Sequence, residues 1–459
     1  MISRRSLLFG QNTADKPATD VIVVGSGFAG MAAALAAVER QSRVILLDRA
    51  TDLFVAANAE GSLYFNAVAP ELQVEQGIVD SPELFYRQTL AHGERRADPK
   101  LVKQLCYKAY IALKWLERMG IVFEPKVQQV PGGVFARTCI AAHPQTCRMT
   151  LLKACVKAGI DVIQGMQFEK LIIENPRRVT GIVVKDIHGE THTIRSHAVI
   201  LTTGGFASND ELCAKHDPRL KNLHEIRGGR AQGDGLQEAV RAGAYLVGMD
   251  YIELLFGMWF KGEFVNNPLH PLRFALVDEK GKRLVNEEKR DDVDEAILNR
   301  EDKTLYLATS FAEIEMLPEA QQKQMQAMLR AGFAKRVTDS DTLKAAMSEC
   351  DWATWQQTWQ AYNQAETDPL GKSWRYRIAA DDALVVPVTL VRSATLGGLH
   401  INEVGRVMDA KNTPIDGLFA AGEITGGVHG MHCLRGNMVL DSVVFGREAG
   451  LNALELTAA

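Results

Sequence analysis

The chain holds 459 residues, a length that suits two or three domains better than one small module. Hydrophobic residues make up 46% of it, too many for a chain that stays disordered. Lys and Arg total 52 against 56 Asp and Glu, so the net charge of −4 lacks the basic excess of a nucleic-acid binder.

The first segment, Ser3-Arg4-Arg5-Ser6-Leu7-Leu8-Phe9, has the outline of a twin-arginine export signal. Its apolar run ends at Gly10, and a working signal needs about 7–15 apolar residues there. Residues 1–18 are therefore read as a polar N-terminal arm. A cytoplasmic location is expected, with the periplasm as the alternative if the Arg4-Arg5 segment is an atypical signal. Val21 to Val38 carries no charge, yet Gly25, Ser26, Gly27 and Gly30 interrupt it. A strand, a tight turn and a helix account for it better than a membrane span.

Residues 20–48 predict a βαβ unit. Val21-Ile22-Val23-Val24 has the pattern of a buried strand, Met31 to Arg40 is alanine-rich and helix-prone, and Val44-Ile45-Leu46-Leu47 is a second strand ending at Asp48. Ser81-Pro82-Glu83 and Asp98-Pro99 read as helix starts. Residues 160–202 are β-rich and lead into Thr202-Thr203-Gly204-Gly205. The composition then changes: 17 of the 26 residues from Asp278 to Lys303 are charged, and residues 312–365 are helical in composition. Trp352, Trp355 and Trp359 share one helical face, expected to pack against the neighbouring domain, with a partner-docking face as the alternative. Glycine-rich sequence returns at Gly397-Gly398.

Seven cysteines are scattered through the chain without a CxxC, which fits reduced thiols and excludes the usual spacings of zinc ribbons, c-type haem and iron–sulfur clusters. No metal site is expected.

Gly25-x-Gly27-x-x-Gly30 lies between strand and helix, where each glycine has a task. Gly25 permits the turn, Gly27 lets the backbone approach a pyrophosphate, and Gly30 allows close helix–strand packing. The loop Gly25, Ser26, Gly27, Phe28, Ala29, Gly30 then presents a helix N-terminus to phosphates. Asp48, 18 residues past Gly30, is placed to accept ribose hydroxyls. One such fingerprint occurs in the chain, and Gly417 to Glu423 offers a distant second contact, which suits the longer reach of FAD over NAD.

These elements resemble the FAD-dependent fumarate reductase/succinate dehydrogenase flavoprotein superfamily, in particular its single-chain soluble fumarate reductases and related ene-reductases. The matching residues are Gly25–Gly30, Ala198 to Gly205, Gly233-Asp234-Gly235, Gly281-Lys282-Arg283, Asn286-Glu287, Gly397-Gly398, Gly417 to Gly430 and Gly436-Asn437, nearly the whole chain. The resemblance implies an α/β fold in which a Rossmann-like FAD-binding domain is split by an inserted α+β capping domain. The boundaries are placed at 19–250, 251–390 and 391–459. The flavin is expected between the two domains. Its implied contacts are the Gly25–Gly30 loop with Asp48, Arg49, Gly61, Phe168, Thr203, Gly204, Gly205, Asp234, Gly422, Glu423, Asn437, Met438, Val439 and Leu440. Complex-bound relatives hold FAD through a histidine after the second strand; residues 51–66 contain none, which implies non-covalent FAD.

The substrate apparatus departs from the family pattern. Arg290 is the best match to the proton-donating arginine, one residue short of the family spacing, and a second relay arginine falls near His270. Two substrate histidines fall at Leu255 and Ala394, and the clamping arginine falls at Cys433, with Arg435 two residues later and His432 beside it. Arg290, His270 and Arg435 are the expected catalytic residues; Leu255, His432 and Cys433 are expected at the substrate. The implied activity is hydride transfer between flavin N5 and a carbon–carbon bond beside an electron-withdrawing group, on a small molecule other than fumarate. A separate electron donor or acceptor is implied. The alternatives are a ketosteroid-type dehydrogenase using Tyr251 or Tyr64, lined by Tyr251 to Phe260, and a flavin-binding electron-transfer subunit.

Overall fold

Val21–Val24 has no polar side chain to solvate, and its strand, Thr19–Val24, is buried along almost its whole length. Such a strand needs neighbours on both sides and cover on both faces. It has them in the computed structural model of the chain, which describes residues 18–53, 63–130, 133–174, 178–226 and 228–454. The N-terminal arm, apart from Ala18, and Gly61 lie outside the described residues.

The chain forms two units, one of residues up to 209 with 230–253 and 394 onward, the other of residues 210–229 and 254–393. The inserted segment thus begins and ends three residues later than the sequence reading places it, and it gains residues 210–229. Arg392 is the reason. Its N–H donates to His224 O at 2.8 Å, its carbonyl accepts from Ile226 N at 3.2 Å, and its guanidinium reaches Leu223 O at 2.8 Å. Asp210 holds the same guanidinium.

In the first unit an eight-stranded sheet has five parallel strands, in the order Asp161–Ile163, Val44–Leu47, Thr19–Val24, Thr191–Leu201 and Pro414–Ala420. Val21 pairs with Val44 on one side and Ala198 on the other. The chain leaves the first strand to one side and returns later on the other, so the C-terminal end of Thr19–Val24 is a topological switch point, where α/β sheets bind ligands. Helix Phe28–Glu39 is apolar all round because it is buried on all sides. It packs against helix Asn437–Asn452 at backbone contact: a Cβ on Gly446 would stand 2.5 Å from Ala29 O, and one on Gly450 would stand 2.1 Å from Ala33 O.

The second unit has a six-stranded sheet, in the order Glu263–Asn266, Ile252–Phe260, Ala383–Thr395, Leu305–Ser310 and Ala275–Val277, with Lys335–Val337 also on Ala383–Thr395. Two sequence expectations are corrected here. Trp355 and Trp359 do not face a neighbouring domain; they pack at 5.0 Å inside this unit's own core with Ala275, Val277, Ala308, Val337 and Val385. Tyr251 to Phe260 is not one apolar wall. Its strand alternates side chains between two faces, with Phe256 against Phe274 and Trp259 stacked on His224 at 4.0 Å. Under this sheet Glu287 is the centre of a buried ionic cluster, bonded by Arg283 at 2.7 and 2.9 Å and by Lys372 at 3.1 Å.

Candidate functional site

The Gly25–Gly30 loop turns off the first strand with Gly25 at φ +105°, where a Cβ would stand 2.4 Å from Thr202 O. A Cβ on Gly30 would stand 1.8 Å from Gly25 O. Gly27 differs: a Cβ there would meet no described atom within 4 Å. Turn, packing and open approach thus fall on the glycines to which the spacing assigns them. Among the described residues no side chain caps the helix at Gly27, and no acidic residue sits in its first turn. Its N–H groups and partial positive charge are left for an anion.

Asp48 fixes this loop. Its Oδ2 accepts from Ser26 N at 2.8 Å and Ser26 Oγ at 2.6 Å, and its Oδ1 accepts from Ala50 N at 2.8 Å. Arg148 adds a cation, donating to Ser26 O at 3.3 Å and Ser26 Oγ at 3.2 Å. Burial pulls its guanidinium below the usual arginine range, while Asp48 opposes that shift. Across the cleft, Arg49 lies 3.9 Å from Asp234 and also donates to the carbonyl of Arg230. Thr203 Oγ1 is buried without a hydrogen-bond partner among the described residues, and Gly204, at φ +80°, is open.

These groups line a cleft of about 700 Å³, within the usual range for ligand pockets. Of the expected cofactor residues, Gly25, Ser26, Gly27, Phe28, Asp48, Arg49, Phe168, Thr203, Gly204 and Asp234 line it. An uncapped helix start, a nearby guanidinium, an open glycine backbone and an orphaned hydroxyl fit a diphosphate with attached hydroxylated groups. Sequence reasoning missed Arg148, Arg230 and Gln232, which also line the cleft. Nothing local marks them: Arg148 stands 122 residues beyond the Ser26 it touches.

The remaining expected contacts lie elsewhere. Ala29 and Gly30 are buried in helix packing. Gly205 abuts Glu423, whose Oε1 accepts from Thr395 N at 3.2 Å. Gly422 packs on Ala29. Asn437 is fully buried, its amide bonded by Asn66 at 2.9 Å and donating to Thr89 at 3.3 Å, so its side chain braces the fold. Leu440 is core, while Met438 and Val439 are half-buried.

The expected catalytic residues divide between the units. In the second, Arg290 opens helix Arg290–Leu298 with its guanidinium on Leu254 O and its Nε 3.7 Å from Asp294. His270 is exposed and caps a short 3₁₀ turn, accepting from Leu272 N at 3.3 Å. Leu255 is half-buried in strand Ile252–Phe260; Ala394, fully buried, belongs to the first unit. In the first unit, exposed Arg435 lies over Tyr64 at 4.8 Å, and His432 is 4.0 Å from Glu94. Cys433 Sγ is 3.5 Å from Nδ1 of buried His429, whose Nε2 is 3.3 Å from Asp441. His429 and Asp441 were not singled out from sequence; a histidine four residues before the cysteine was the only available signal.

A doubly wound sheet with an open glycine cradle at its switch point defines a dinucleotide-binding protein. Residues 20–439 match the FAD binding domain family. The chain is 32% identical to a fumarate reductase (cytochrome) of Shewanella frigidimarina, over 95% of this chain and 76% of that one. A flavocytochrome c3 fumarate reductase in its open conformation superposes with a TM-score of 0.81 at 26% identity, over all of this chain and 82% of that one. A 3-ketosteroid-Δ4-(5α)-dehydrogenase from Rhodococcus jostii RHA1 superposes with a TM-score of 0.74 at 25% identity, over 95% and 96% of the two chains. The chain belongs to the fumarate reductase/succinate dehydrogenase flavoprotein superfamily, and is an FAD-dependent oxidoreductase acting on carbon–carbon double bonds. Among the described residues no helix is long and apolar enough to cross a membrane.

Proposed function

We propose that the protein reduces, or in reverse forms, a carbon–carbon double bond beside an electron-withdrawing group, on a substrate bulkier and less charged than fumarate. The observation that carries this reading is the occupant of position 433. Where the resemblance puts a clamping arginine there is a cysteine, held by His429 at 3.5 Å. A dicarboxylate needs a partner at each end, and a buried carboxylate left unpaired costs several kcal/mol, about 3–5. Leu255 and Ala394 offer no such partner.

In this reading FAD occupies the cleft of the first unit. The N-terminus of helix Phe28–Glu39 and Arg148 would hold its phosphates, while Asp48 holds the loop in shape. Bound FAD supplies a hydride at flavin N5. Arg290 donates the proton to the α-carbon, and a relay resupplies that proton from solvent. Asp294, 3.7 Å away, is the carboxylate placed for that in its own unit. Arg435 and His432 orient one carbonyl or carboxylate end. Electrons come from a separate donor.

The likeness to the ketosteroid dehydrogenase favours a second reading, in which the substrate is a cyclic ketone and a tyrosine, Tyr251 or Tyr64, handles the proton. One experiment separates these. Purified protein with a reduced dye is offered fumarate, monocarboxylate enoates and cyclic enones. An enoate or enone is expected to exceed fumarate in kcat/KM by at least ~10-fold. Fumarate reduction at about 10⁶ M⁻¹s⁻¹ overturns the reading, and reoxidation by no alkene, with FAD present, indicates an electron-transfer subunit.

A further inference from the structure

Six of the seven cysteines are buried, and Cys433 alone is half-buried. Burial pushes the thiols of Cys106, Cys139 and Cys155 up to about 12, and those of Cys147 and Cys350 up to about 11. They are inert at neutral pH.

Cys433 has different surroundings. Its sulfur faces His429 Nδ1 at 3.5 Å, and the opposite ring nitrogen faces Asp441 Oδ2 at 3.3 Å. Nucleophile, base and orienting acid thus stand in line. Burial alone would favour the neutral His429 ring; the Cys433 sulfur and Asp441 outweigh it and hold its pKa well above the usual imidazole value. Asp441 is 2% exposed, its Oδ1 has no hydrogen-bond partner among the described residues, and its Oδ2 faces His429.

The backbone holds this arrangement rigidly. A Cβ on Gly93 would stand 2.2 Å from His429 O, and one on Gly430 would stand 2.3 Å from Gly93 O. Gly427 O accepts from Asp98 N at 2.7 Å. Other titratable groups nearby are His432 and Arg435 on the same loop, and His92 and Glu94 at the end of helix Pro82–His92. The His92 ring lies 6.4 Å from that of His432.

We propose that Cys433 is a redox modification site, whose sulfur, with His429 beside it to take its proton, is oxidised by hydroperoxides. The sulfur attacks one oxygen of hydrogen peroxide and the O–O bond breaks. His429 gives its proton to the departing hydroxide, which leaves as water. The sulfur loses two electrons and becomes a sulfenic acid; the peroxide gains them. The substrate class is small hydroperoxides, and the proposal does not depend on which alkene the enzyme reduces.

The test uses the whole FAD-loaded protein at pH 7, a few equivalents of hydrogen peroxide, and dimedone to trap sulfenic acid. Each cysteine-containing peptide is then quantified by mass spectrometry. Cys433 is expected to label while the six buried cysteines do not. His429→Gln should slow labelling by at least ~10-fold, the low side of what a positioned acid–base group contributes, with circular dichroism unchanged. If that variant does not fold, the wild-type rate decides. It should exceed that of the same peptide free in solution by at least ~10-fold. Labelling of Cys433 no faster than in the free peptide, or unchanged in folded His429→Gln, overturns the proposal.

Discussion

Both donors of Ser26 converge on a single oxygen of Asp48, the N–H at 2.8 Å and the hydroxyl at 2.6 Å. The acid that ends the second strand thereby sets the shape of the glycine loop after the first. Hydrogen bonds to a charged group contribute about 1.5–3 kcal/mol each. Asp48→Asn retains the volume and loses the charge. Its FAD dissociation constant, titrated by flavin fluorescence, is expected to rise at least ~10-fold, equivalent to about 1.4 kcal/mol. An unchanged constant would contradict this role.

Gly27 and Gly30 separate binding from folding. A Cβ on Gly27 meets nothing described within 4 Å, so Gly27→Ala should fold and unfold like the parent while its flavin content falls sharply. A Cβ on Gly30 lies 1.8 Å from Gly25 O, so Gly30→Ala should lose soluble expression or melt far earlier. Flavin absorbance per protein and thermal circular dichroism distinguish the two. Full flavin content in Gly27→Ala would place the phosphates elsewhere.

FAD is expected to be held without a covalent bond, because residues 51–66 contain no histidine. Acid precipitation of the yellow protein should release all flavin into the supernatant. Flavin that stays with the washed pellet would show a linkage.

Arg290→Lys is the informative substitution at the proposed acid. Lysine preserves the charge and loses the planar fork that reaches Leu254 O and faces Asp294. Turnover should fall by at least ~10² with FAD content unchanged. Activity within a few-fold of the parent would make Arg290 a structural helix-start residue.

Glu287 offers a stability test in the second unit. Its carboxylate is unexposed and neutralises Arg283 and Lys372 together. Glu287→Gln leaves two buried cations short of a counter-charge, which costs about 3–5 kcal/mol. The unfolding transition reported by Trp355 and Trp359 fluorescence should move to lower denaturant. A shift below ~1 kcal/mol would mean that Asp368, which also holds Arg283, suffices.

The sequence made the βαβ unit legible because its information is local: a strand, three spaced glycines and an acid within 30 residues. Long-range contacts were not legible. The tryptophan period identified a buried face correctly, but a period cannot say which surface the face meets. The run Leu254–Phe260 looked uniformly apolar, and only its strand conformation divides it between two sides. Residues 210–229 join the second unit through Arg392, more than 160 positions later. Asn437, read as a flavin contact, is occupied by Asn66 and Thr89, both more than 340 residues earlier.

The contact of Gly446 and Gly450 with Ala29 and Ala33 also bears on how the protein is made. Synthesis delivers helix Phe28–Glu39 well before its partner, Asn437–Asn452. Strand Pro414–Ala420 likewise follows long after the strand it pairs with, Thr191–Leu201. A nascent chain therefore carries a bare small-residue groove and an open sheet edge until those later elements emerge, which is the exposure that recruits chaperones. The cradle at Gly27 has its full backing only after helix Asn437–Asn452 has emerged and docked. Tight loading of flavin is expected to wait for that docking.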